Sequence, residues 1–468
     1  MSVTLPSLLR MRADTDPDRV AMTVHGTGSL TFGEWETRSA DLAGALAERG
    51  VREGDRVGLV YGNGDWLEYA VAFFGAVRAG AVAVPLSDRL ARADVDAMLA
   101  HCGARLVLRP GELPKPAGGG LSAPPPPAPG ALAQILYTSG TTGRPKGVAA
   151  THANLAYGCG GRRRPFAHSK HLAHAFPIGT NAGQWMLVNA VDAHPETVTL
   201  PRFTPGRFAQ LIEHYRAGTV FLVPAMAIEM LAARVHERHD LSSVLLLGSA
   251  AAPLPAKVAT GLGTAFRNAT ITNYYTSTEA APAQTVMIFD PDRPSSVGRP
   301  ASGGAVKIAT AQGEPLPPGV TGEVWMRSPA AVRAYYGDTA ATGEVFRAGW
   351  VRMGDLGYLD EDGYLYLVDR ESDVIKSGAY KVSTLHVEDA VYQHADVTEA
   401  AAFDVAHPTL GKAVAVAVVG PVTHEELRIF LKEHLAPHEL PVRLVTLDAL
   451  PRNHNGKVDK HALREAVR

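Results

Sequence analysis

Near the beginning of the chain, apolar residues recur at the spacing of a helix. Between Leu30 and Gly50, the residues Trp35, Leu42 and Leu46 recur at helical intervals, so one face of this stretch is apolar. Gly50 supplies a typical helix stop. The spacing therefore predicts an amphipathic helix that packs on a sheet.

Short continuous apolar runs follow this helix. Arg56–Tyr61 and Ala81–Val84 read as buried strands, the second closed by Pro85, and Trp66–Ala79 between them reads as a helix that ends at Gly80. A strand, a crossover helix and a second strand imply parallel pairing. The pattern predicts a doubly wound α/β sheet.

The same alternation returns between Ala131 and about Tyr275, after a Pro- and Gly-rich loop at Gly111–Gly130. It predicts a second α/β layer, and ligands of such sheets bind beyond the carboxyl ends of the strands. The predicted strands of this layer are Ile135–Thr138, Leu172–Phe176, Thr219–Val223, Val244–Leu247 and Ile271–Tyr274.

The pattern changes after residue 298. Gly298–Arg327 and Gly349–Arg370 alternate in short runs with turns, which predicts a small antiparallel β unit. Later segments predict an α+β domain; they are the strands Ala413–Val419 and Arg443–Leu447 and the helix His424–His434. The predicted domains are residues 1–370 and 371–468, joined by a charged hinge at Asp369–Asp373.

Composition limits the possible partners and compartments. The 468 residues include 46% apolar and 20% charged residues, as is usual for a globular protein. A net charge of −2 argues against nucleic-acid or anionic-membrane binding. Two cysteines, scattered histidines and the lack of a long apolar run predict a cytoplasmic protein without a metal cluster or membrane span.

The strongest chemical signal is the stretch Tyr137–Val148, which lies between an apolar run and a helix-like stretch. Backbone N–H groups of such a glycine- and hydroxyl-rich loop bind phosphate oxygens, and a lysine adds a positive charge. Its spacing differs from that of the Walker loop. The residues predicted to contact phosphate are Thr138, Ser139, Gly140, Thr141, Thr142, Gly143 and Lys146.

This loop resembles the signature loop of the adenylate-forming superfamily, the class I AMP-dependent synthetases and ligases. That superfamily includes acyl-CoA synthetases, luciferases and peptide-synthetase adenylation domains. The resemblance implies a large AMP-binding core at residues 1–370 and a small mobile lid at 371–468 that carries a catalytic lysine. It also implies ATP, Mg²⁺ and CoA.

Two further segments resemble family motifs for the nucleotide. By resemblance, Tyr275 stacks on adenine, Thr278 contacts the α-phosphate and Glu279 holds Mg²⁺. The neighbouring nucleotide-binding positions are Ser249, Ala250, Ala251, Asn273, Tyr274 and Thr276. Each segment alone is also compatible with an ordinary polar turn.

The resemblance extends to the carboxyl end of the chain. It implies that Asp355 and Arg370 contact the ribose and that Lys376 contacts substrate or CoA. Lys457 would reach the carboxylate and the α-phosphate together, where a cation lowers the barrier between two anions. The hinge position, commonly Asp or Lys, is Ser372 here.

Two positions depart from the family pattern where the acyl pocket is expected. Thr276 replaces a glycine and Thr180 replaces a histidine. With Trp185 nearby, the bulk at these positions favours a small or aromatic acid.

The predicted function is ATP-dependent ligation of such an acid to a thiol through acyl-AMP, with Lys457, Thr278, Glu279 and Lys146 as catalytic residues. CoA is expected as the thiol because no carrier domain follows residue 468. The alternatives are a separate carrier protein as acceptor, or activation of nitrite for diazotisation of an amine. A nucleotide-binding regulator without catalysis is the remaining interpretation, which the retained Lys457, Glu279 and Asp355 oppose.

Overall fold

The computed structural model describes residues 3–116, 125–138, 145–453 and 456–466. Helices occur in every part of the described chain. In chain order they are α1 (Leu5–Thr15), α2 (Phe32–Glu48), α3 (Trp66–Arg78), α4 (Arg92–Cys102), α5 (His152–Leu155), α6 (Asn181–Asp192), α7 (Pro205–Tyr215), α8 (Pro224–Ala232), α9 (Ala256–Ala265), α10 (Thr339–Val345), α11 (Thr384–Tyr392), α12 (His424–His434) and α13 (Lys460–Ala466).

The strands divide into those of the two α/β layers and those of the later antiparallel parts. In chain order they are β1 (Val20–Val24), β2 (Gly28–Thr31), β3 (Arg56–Tyr61), β4 (Val82–Ser87), β5 (Ala104–Leu108), β6 (Leu132–Thr138), β7 (Lys146–Thr151), β8 (His171–His174), β9 (Glu196–Thr199), β10 (Thr219–Leu222), β11 (Leu246–Ala250), β12 (Thr270–Tyr275), β13 (Gln284–Ile288), β14 (Ser296–Ala301), β15 (Ala305–Ala309), β16 (Gly322–Arg327), β17 (Ala334–Tyr335), β18 (Phe346–Arg347), β19 (Trp350–Leu359), β20 (Leu365–Arg370), β21 (Ile375–Ser377), β22 (Tyr380–Val382), β23 (Glu399–His407), β24 (Gly411–Val419) and β25 (Arg443–Thr446).

The first sheet has the strand order β17-β7-β6-β4-β3-β5 in the described part of the chain. Strands β3 and β4 are parallel, as the crossover through α3 predicts. Helix α2 packs on α3, where the buried Trp35 indole donates to the Ala70 carbonyl (3.0 Å) and its ring meets Phe74 edge-on. A capping box of Thr31 and Glu34 begins α2.

The second sheet is the longer one. Its parallel centre has the order β12-β11-β10-β8-β9-β1, and the antiparallel strands β13, β14, β20, β19, β16 and β15 extend it on one side. A buried core of Val220, Leu222, Leu247 and Leu262 packs between this centre and its helices. The predicted small β unit is thus continuous with the second α/β layer.

The third sheet contains strands that follow Arg370, in the order β22-β21-β24-β23 with β25 beside β24. Helices α11 and α12 cover a core that includes Val387, Val416 and Leu431. A capping box formed by Thr423 and Glu426 begins α12. The predicted fold class, a large α/β part and a smaller α+β part, is confirmed.

Several local predictions were wrong. Ile135–Thr138 belongs to the first sheet rather than to the second layer, and the stretch after the loop, expected to be helical, is the strand β7. Strand β4 continues through Pro85, which lies opposite Leu59 of β3, instead of ending at Val84. Residues 117–124 of the predicted loop lie outside the described residues. No described helix is long and apolar enough to span a membrane.

Candidate active site

The carboxyl ends of β11 and β12 form one wall of the site. The two strands are parallel and place Ser249 opposite Asn273, with Ala250 opposite Tyr274. Ser249 Oγ and Asn273 Oδ1 are buried and have no hydrogen-bond partner among the described residues. A buried polar atom without a partner is costly, so these two atoms fit a polar ligand such as a nucleotide base.

A hydrogen-bonded group at the end of β12 links three predicted nucleotide residues. The Tyr275 hydroxyl donates to Asp355 Oδ2 (2.6 Å), and Arg370 Nε donates to Asp355 Oδ1 (3.2 Å). The antiparallel register of β19 and β20 sets Asp355 directly opposite Arg370. Burial raises the pKa of Asp355, and the charge of Arg370 and the hydrogen bonds from Tyr275 and Arg370 oppose that shift. These two donors favour the carboxylate form, which can also accept hydrogen bonds from hydroxyl groups.

The base of the phosphate loop faces a carboxylate. Thr138 and Lys146 lie opposite each other at the ends of β6 and β7. Thr138 Oγ1 donates to Glu279 Oε1 (3.4 Å). The loop residues Ser139, Gly140, Thr141, Thr142 and Gly143 lie outside the described residues.

Strand β17 holds the Thr278–Glu279 segment in place. The Tyr335 hydroxyl donates to Glu279 Oε1 (3.0 Å), and the Tyr335 ring lies 5.0 Å from Lys146 Nζ. Arg333, which is buried, donates from Nη1 to the Thr278 carbonyl (2.7 Å). Burial lowers the pKa of Arg333 to about 10, and Glu279 opposes that shift.

A lysine from the C-terminal part completes the group. Asn453 closes a turn around Lys457, accepting from its backbone N–H at its own Oδ1 (3.1 Å). The Lys457 residue is exposed. Partial desolvation of its amine and the charge of Arg370 lower its pKa, while the charges of Asp355 and Glu279 oppose that shift. Lys457 therefore lies within the electrostatic field of Glu279, Asp355 and Arg370.

Other predicted residues lie farther from this group. Ala251 follows β11 with a left-handed backbone (φ 77°), which turns the chain away from the strand end. Lys376 is exposed on β21, and the contacts found among the described residues do not join it to the group.

The expected acyl side of β12 is filled by aromatic rings. Adjacent residues of a strand point to opposite faces, so Tyr274 faces away from Tyr275. The Tyr274 ring lies 6.1 Å from Trp185 and 5.7 Å from Phe221, measured between ring centroids. Thr276 Oγ1 donates to the Ala283 carbonyl (2.6 Å), which uses its hydroxyl and leaves its carbon atoms as bulk.

Thr180, which was expected to line the acyl pocket, begins a helix. It is the N-cap of α6, where its Oγ1 accepts from the Gly183 N–H (3.0 Å) and donates to the Pro177 carbonyl (2.7 Å).

Sequence reasoning missed three residues at the site. Tyr335 and Arg333 lie on or beside a strand of two residues, which is too short to show a period. Asp369, buried near the end of β20, accepts from the backbone N–H of Arg370 (2.7 Å) and from the Thr384 hydroxyl (3.2 Å). For Arg333 and Tyr335, the usable signal in the sequence is a cation followed closely by two aromatic residues, Tyr335 and Tyr336.

Comparison with known proteins identifies the family of the chain. A model of the AMP-binding enzyme family matches residues 9–336, and a model of the AMP-binding enzyme C-terminal domain matches residues 386–457. The chain belongs to the AMP-binding enzymes. The predicted superfamily and the predicted class, an AMP-forming acyl-CoA ligase-like enzyme, are confirmed.

Relatives and solved structures cover nearly the whole chain. A feruloyl-CoA synthase from an Amycolatopsis species is 34% identical over 482 residues, 97% of each chain. The o-succinylbenzoate CoA synthetase of Bacillus subtilis, solved with its acyl-adenylate intermediate, is 27% identical with a TM-score of 0.85, covering 99% of this chain and 98% of that one. An amide bond synthetase from Marinactinospora thermotolerans has the same identity and TM-score and covers 99% of both chains.

The residues present fit a magnesium ion bound together with phosphates. Among the described residues, no group of three or more His, Cys, Asp and Glu side chains could hold a metal alone. Mg²⁺ commonly uses one or two carboxylates and completes its shell with substrate phosphates and water. The Glu279 carboxylate, facing Thr138 at the base of the phosphate loop, suits that arrangement.

Substitution of Tyr335 by phenylalanine should raise the Mg²⁺ concentration needed for half-maximal ATP binding by about tenfold, because it removes a hydrogen bond that orients Glu279. Calorimetric titration of the variant with ATP at several Mg²⁺ concentrations measures this. The neighbouring Tyr336→Phe variant is the control. An unchanged Mg²⁺ requirement in Tyr335→Phe would mean that the hydroxyl does not orient the carboxylate.

Proposed function

We propose that this enzyme joins a small or aromatic carboxylic acid to CoA in two steps. In the first, a carboxylate oxygen attacks the α-phosphorus of ATP, the bond to the β-phosphate breaks, and pyrophosphate leaves acyl-AMP. In the second, the CoA thiol attacks the acyl carbonyl, loses its proton and displaces AMP. The hydrogen-bonded group of Tyr275, Asp355 and Arg370, with Glu279 at the base of the phosphate loop, carries this proposal.

We infer the contacts to the nucleotide from two kinds of polar group, those without a hydrogen-bond partner and those oriented by neighbouring residues. Asn273 Oδ1 and Ser249 Oγ offer buried partners to the adenine edge. Asp355, oriented by Tyr275 and Arg370, accepts hydrogen bonds from the ribose hydroxyls. The predicted contacts of the phosphate loop remain part of this proposal.

Charge in the first step is met from two sides. Lys457 lies between the incoming carboxylate and the α-phosphate and reduces their repulsion. Thr278 and Lys146 contact phosphate oxygens, with Thr278 held by Arg333. Mg²⁺, when bound with Glu279, supplies further positive charge to the transferring phosphoryl group.

The acid is placed beside the aromatic cluster of Tyr274, Trp185 and Phe221. Rings at centroid distances of 4.9 to 6.1 Å leave little depth for a long alkyl chain. The related feruloyl-CoA synthase and o-succinylbenzoate CoA synthetase are named for acids that contain an aromatic ring. Both facts support a small or aromatic substrate.

We further propose that residues 371–468 act as a lid that turns between the two steps, about a hinge near Ser372. The segment after Arg370 forms a turn in which Ser372 Oγ donates to Asp373 Oδ1 (3.0 Å), and the Ser372 side chain is exposed. Turning the lid would withdraw Lys457 and bring the exposed Lys376 towards the acceptor.

A second acceptor is supported by one observation. The similarity to an amide bond synthetase over almost the whole chain favours transfer of the acyl group to an amine as the alternative to CoA. A separate carrier protein as acceptor and the activation of nitrite are the other two alternatives, and the reaction below distinguishes them from CoA.

The test is mass spectrometry of one reaction. The enzyme, ATP and Mg²⁺ are incubated with a library of short, aromatic and long-chain acids, with CoA, with simple amines, or with nitrite. Acyl-CoA products of aromatic or short acids are expected. Acyl-AMP that turns over only with amines would indicate an amine as the acceptor in place of CoA. A nitrogen-bearing product and AMP that form only with nitrite would indicate nitrite activation, and acyl-AMP that reacts with none of these acceptors would point to a carrier protein. The absence of pyrophosphate with every acid would overturn the proposal.

Replacing Thr276 by glycine should raise kcat/KM for acids that are one or two carbons longer by about tenfold, because a buried methylene-sized clash costs on this scale. Kinetics with an acid series of increasing length measures this. Thr276→Ala, which loses the hydroxyl bonded to Ala283 but keeps Cβ, separates bulk from hydrogen bonding. Equal profiles in all three enzymes would show that Thr276 does not limit the pocket.

A further inference from the structure

The two parts of the chain share one aromatic side chain. Tyr392 ends α11 and packs against the core of the third sheet, but it also packs against the core of the second sheet. Burial raises the pKa of its hydroxyl to about 12. A ring that contacts both cores joins the C-terminal part of the chain to the second sheet and its helices.

A lysine of the N-terminal part also binds the segment that follows Tyr392. Lys257, in the first turn of α9, donates from Nζ to the carbonyls of His394 (2.8 Å), Ala395 (3.1 Å) and Val397 (3.3 Å), which follow the end of α11. A positive charge in the first turn of a helix opposes the dipole of that helix, whereas one near a helix C-terminus is favourable. The position of Lys257 therefore stabilises α11 of the lid and not its own helix.

Charged residues near this contact extend to the segment around Lys457. Glu229 of α8 lies in the field of Arg452 and Glu399. Arg452 is paired with Glu399 and donates from Nη1 to the Gly456 carbonyl (3.1 Å), the residue before Lys457. Docking at this contact thus supports the position of Lys457.

We propose that Lys257 and Tyr392 form a latch that holds the lid in the orientation for acyl-adenylate formation. The inference rests on the proposed function, in which Lys457 acts in the first step and the lid then turns. Because the carbonyls of residues 394–397 move with the lid, the turn must break all three bonds of Lys257. The free energy of the latch contacts then sets the ratio of molecules with the lid in each of its two orientations.

The first test measures lid orientation without any acid. Spin labels on Arg267→Cys, beyond α9, and Lys432→Cys, on α12, report one distance across the contact; both positions are exposed, and Cys159 is replaced by alanine. Adding Lys257→Met should lower the ratio of docked to undocked lid by about threefold, the scale of an exposed charged contact. Lys257→Arg, which keeps charge and donors, should restore it, and the exposed Lys381→Met should change nothing.

The second test separates the two half-reactions with an acid from the library screen. Lys257→Met should slow pyrophosphate release by about threefold while leaving unchanged or accelerating the reaction of prepared acyl-AMP with CoA. Equal losses in both, or an unchanged distance distribution, would overturn the latch. A Lys457→Ala variant with normal pyrophosphate release would instead overturn the proposed function, so the two failures are distinguishable.

Discussion

Replacement of Lys457 by alanine should lower the rate of acyl-adenylate formation by about 10²–10³-fold, the usual loss when one group that stabilises developing charge is removed. The carboxylate and the α-phosphate repel each other as they approach, and Lys457 is a cation of the C-terminal part that lies in the electrostatic field of Glu279, Asp355 and Arg370. ATP affinity should change little, since Asp355 and Asn273 remain.

Pyrophosphate release in the presence of the acid measures this prediction, and prepared acyl-AMP with CoA provides the internal control. The second reaction should retain most of its rate because Lys457 is assigned only to the first. Lys432→Ala, an exposed lysine of the same region, is the matched control. A Lys457→Ala enzyme with full adenylation activity would contradict the assigned role.

The lowered pKa of Lys457 also predicts how the adenylation rate depends on pH. Burial and Arg370 lower its pKa, and only the protonated amine attracts the two anions. Adenylation should therefore decline with rising pH below the range in which an ordinary lysine loses its proton. In Lys457→Arg, which stays charged, this alkaline decline should disappear whatever residual rate is left.

The elements with local signals were predictable from the sequence. Helix α12 has the predicted bounds His424–His434 because Thr423 and Glu426 form a capping box and its apolar residues keep one period. Strand β3 also matches its predicted bounds, since a short apolar run followed by a helical stretch is typical of a parallel sheet. The later antiparallel strands were predictable because short alternating runs are separated there by recognisable turns.

Elements that depend on distant partners were not predictable. Strand β7 is rich in alanine and glycine and has no strand period of its own, but it pairs with β6 on one side and β17 on the other. Strand β6 joined the first sheet because its neighbour is β4, more than forty residues earlier, a choice that no local pattern specifies.

The site shows the same division. Asn273, Tyr275 and Glu279 could be found because they lie at or just after the end of one strand and match a family motif. Tyr335 and Arg333 contact the same segment from a two-residue strand, so only the pairing of β17 with β7 reveals them. Lys257 and Tyr392 are ordinary helix residues in the sequence, and their contact exists only in the folded chain.

Replacement of Glu279 by glutamine should lower adenylation by about a hundredfold at millimolar Mg²⁺, because loss of a carboxylate ligand removes several kcal/mol of metal-derived charge stabilisation. Glutamine keeps an oxygen that accepts from Tyr335 and Thr138, so the fold of the site should persist. The change therefore isolates the charge of Glu279 from its place in the hydrogen-bond network.

The measurement is Mg²⁺-dependent ATP binding by calorimetry together with pyrophosphate release. Glu279→Gln should need more Mg²⁺ than Tyr335→Phe does, since it removes the ligand itself rather than the group that orients it. Glu314→Gln, an exposed carboxylate on the β15–β16 connection, is the matched control. If Glu279→Gln kept the native Mg²⁺ requirement but lost activity, the carboxylate would act on the substrates and not on the metal, and Tyr335 would then orient a group that binds substrate.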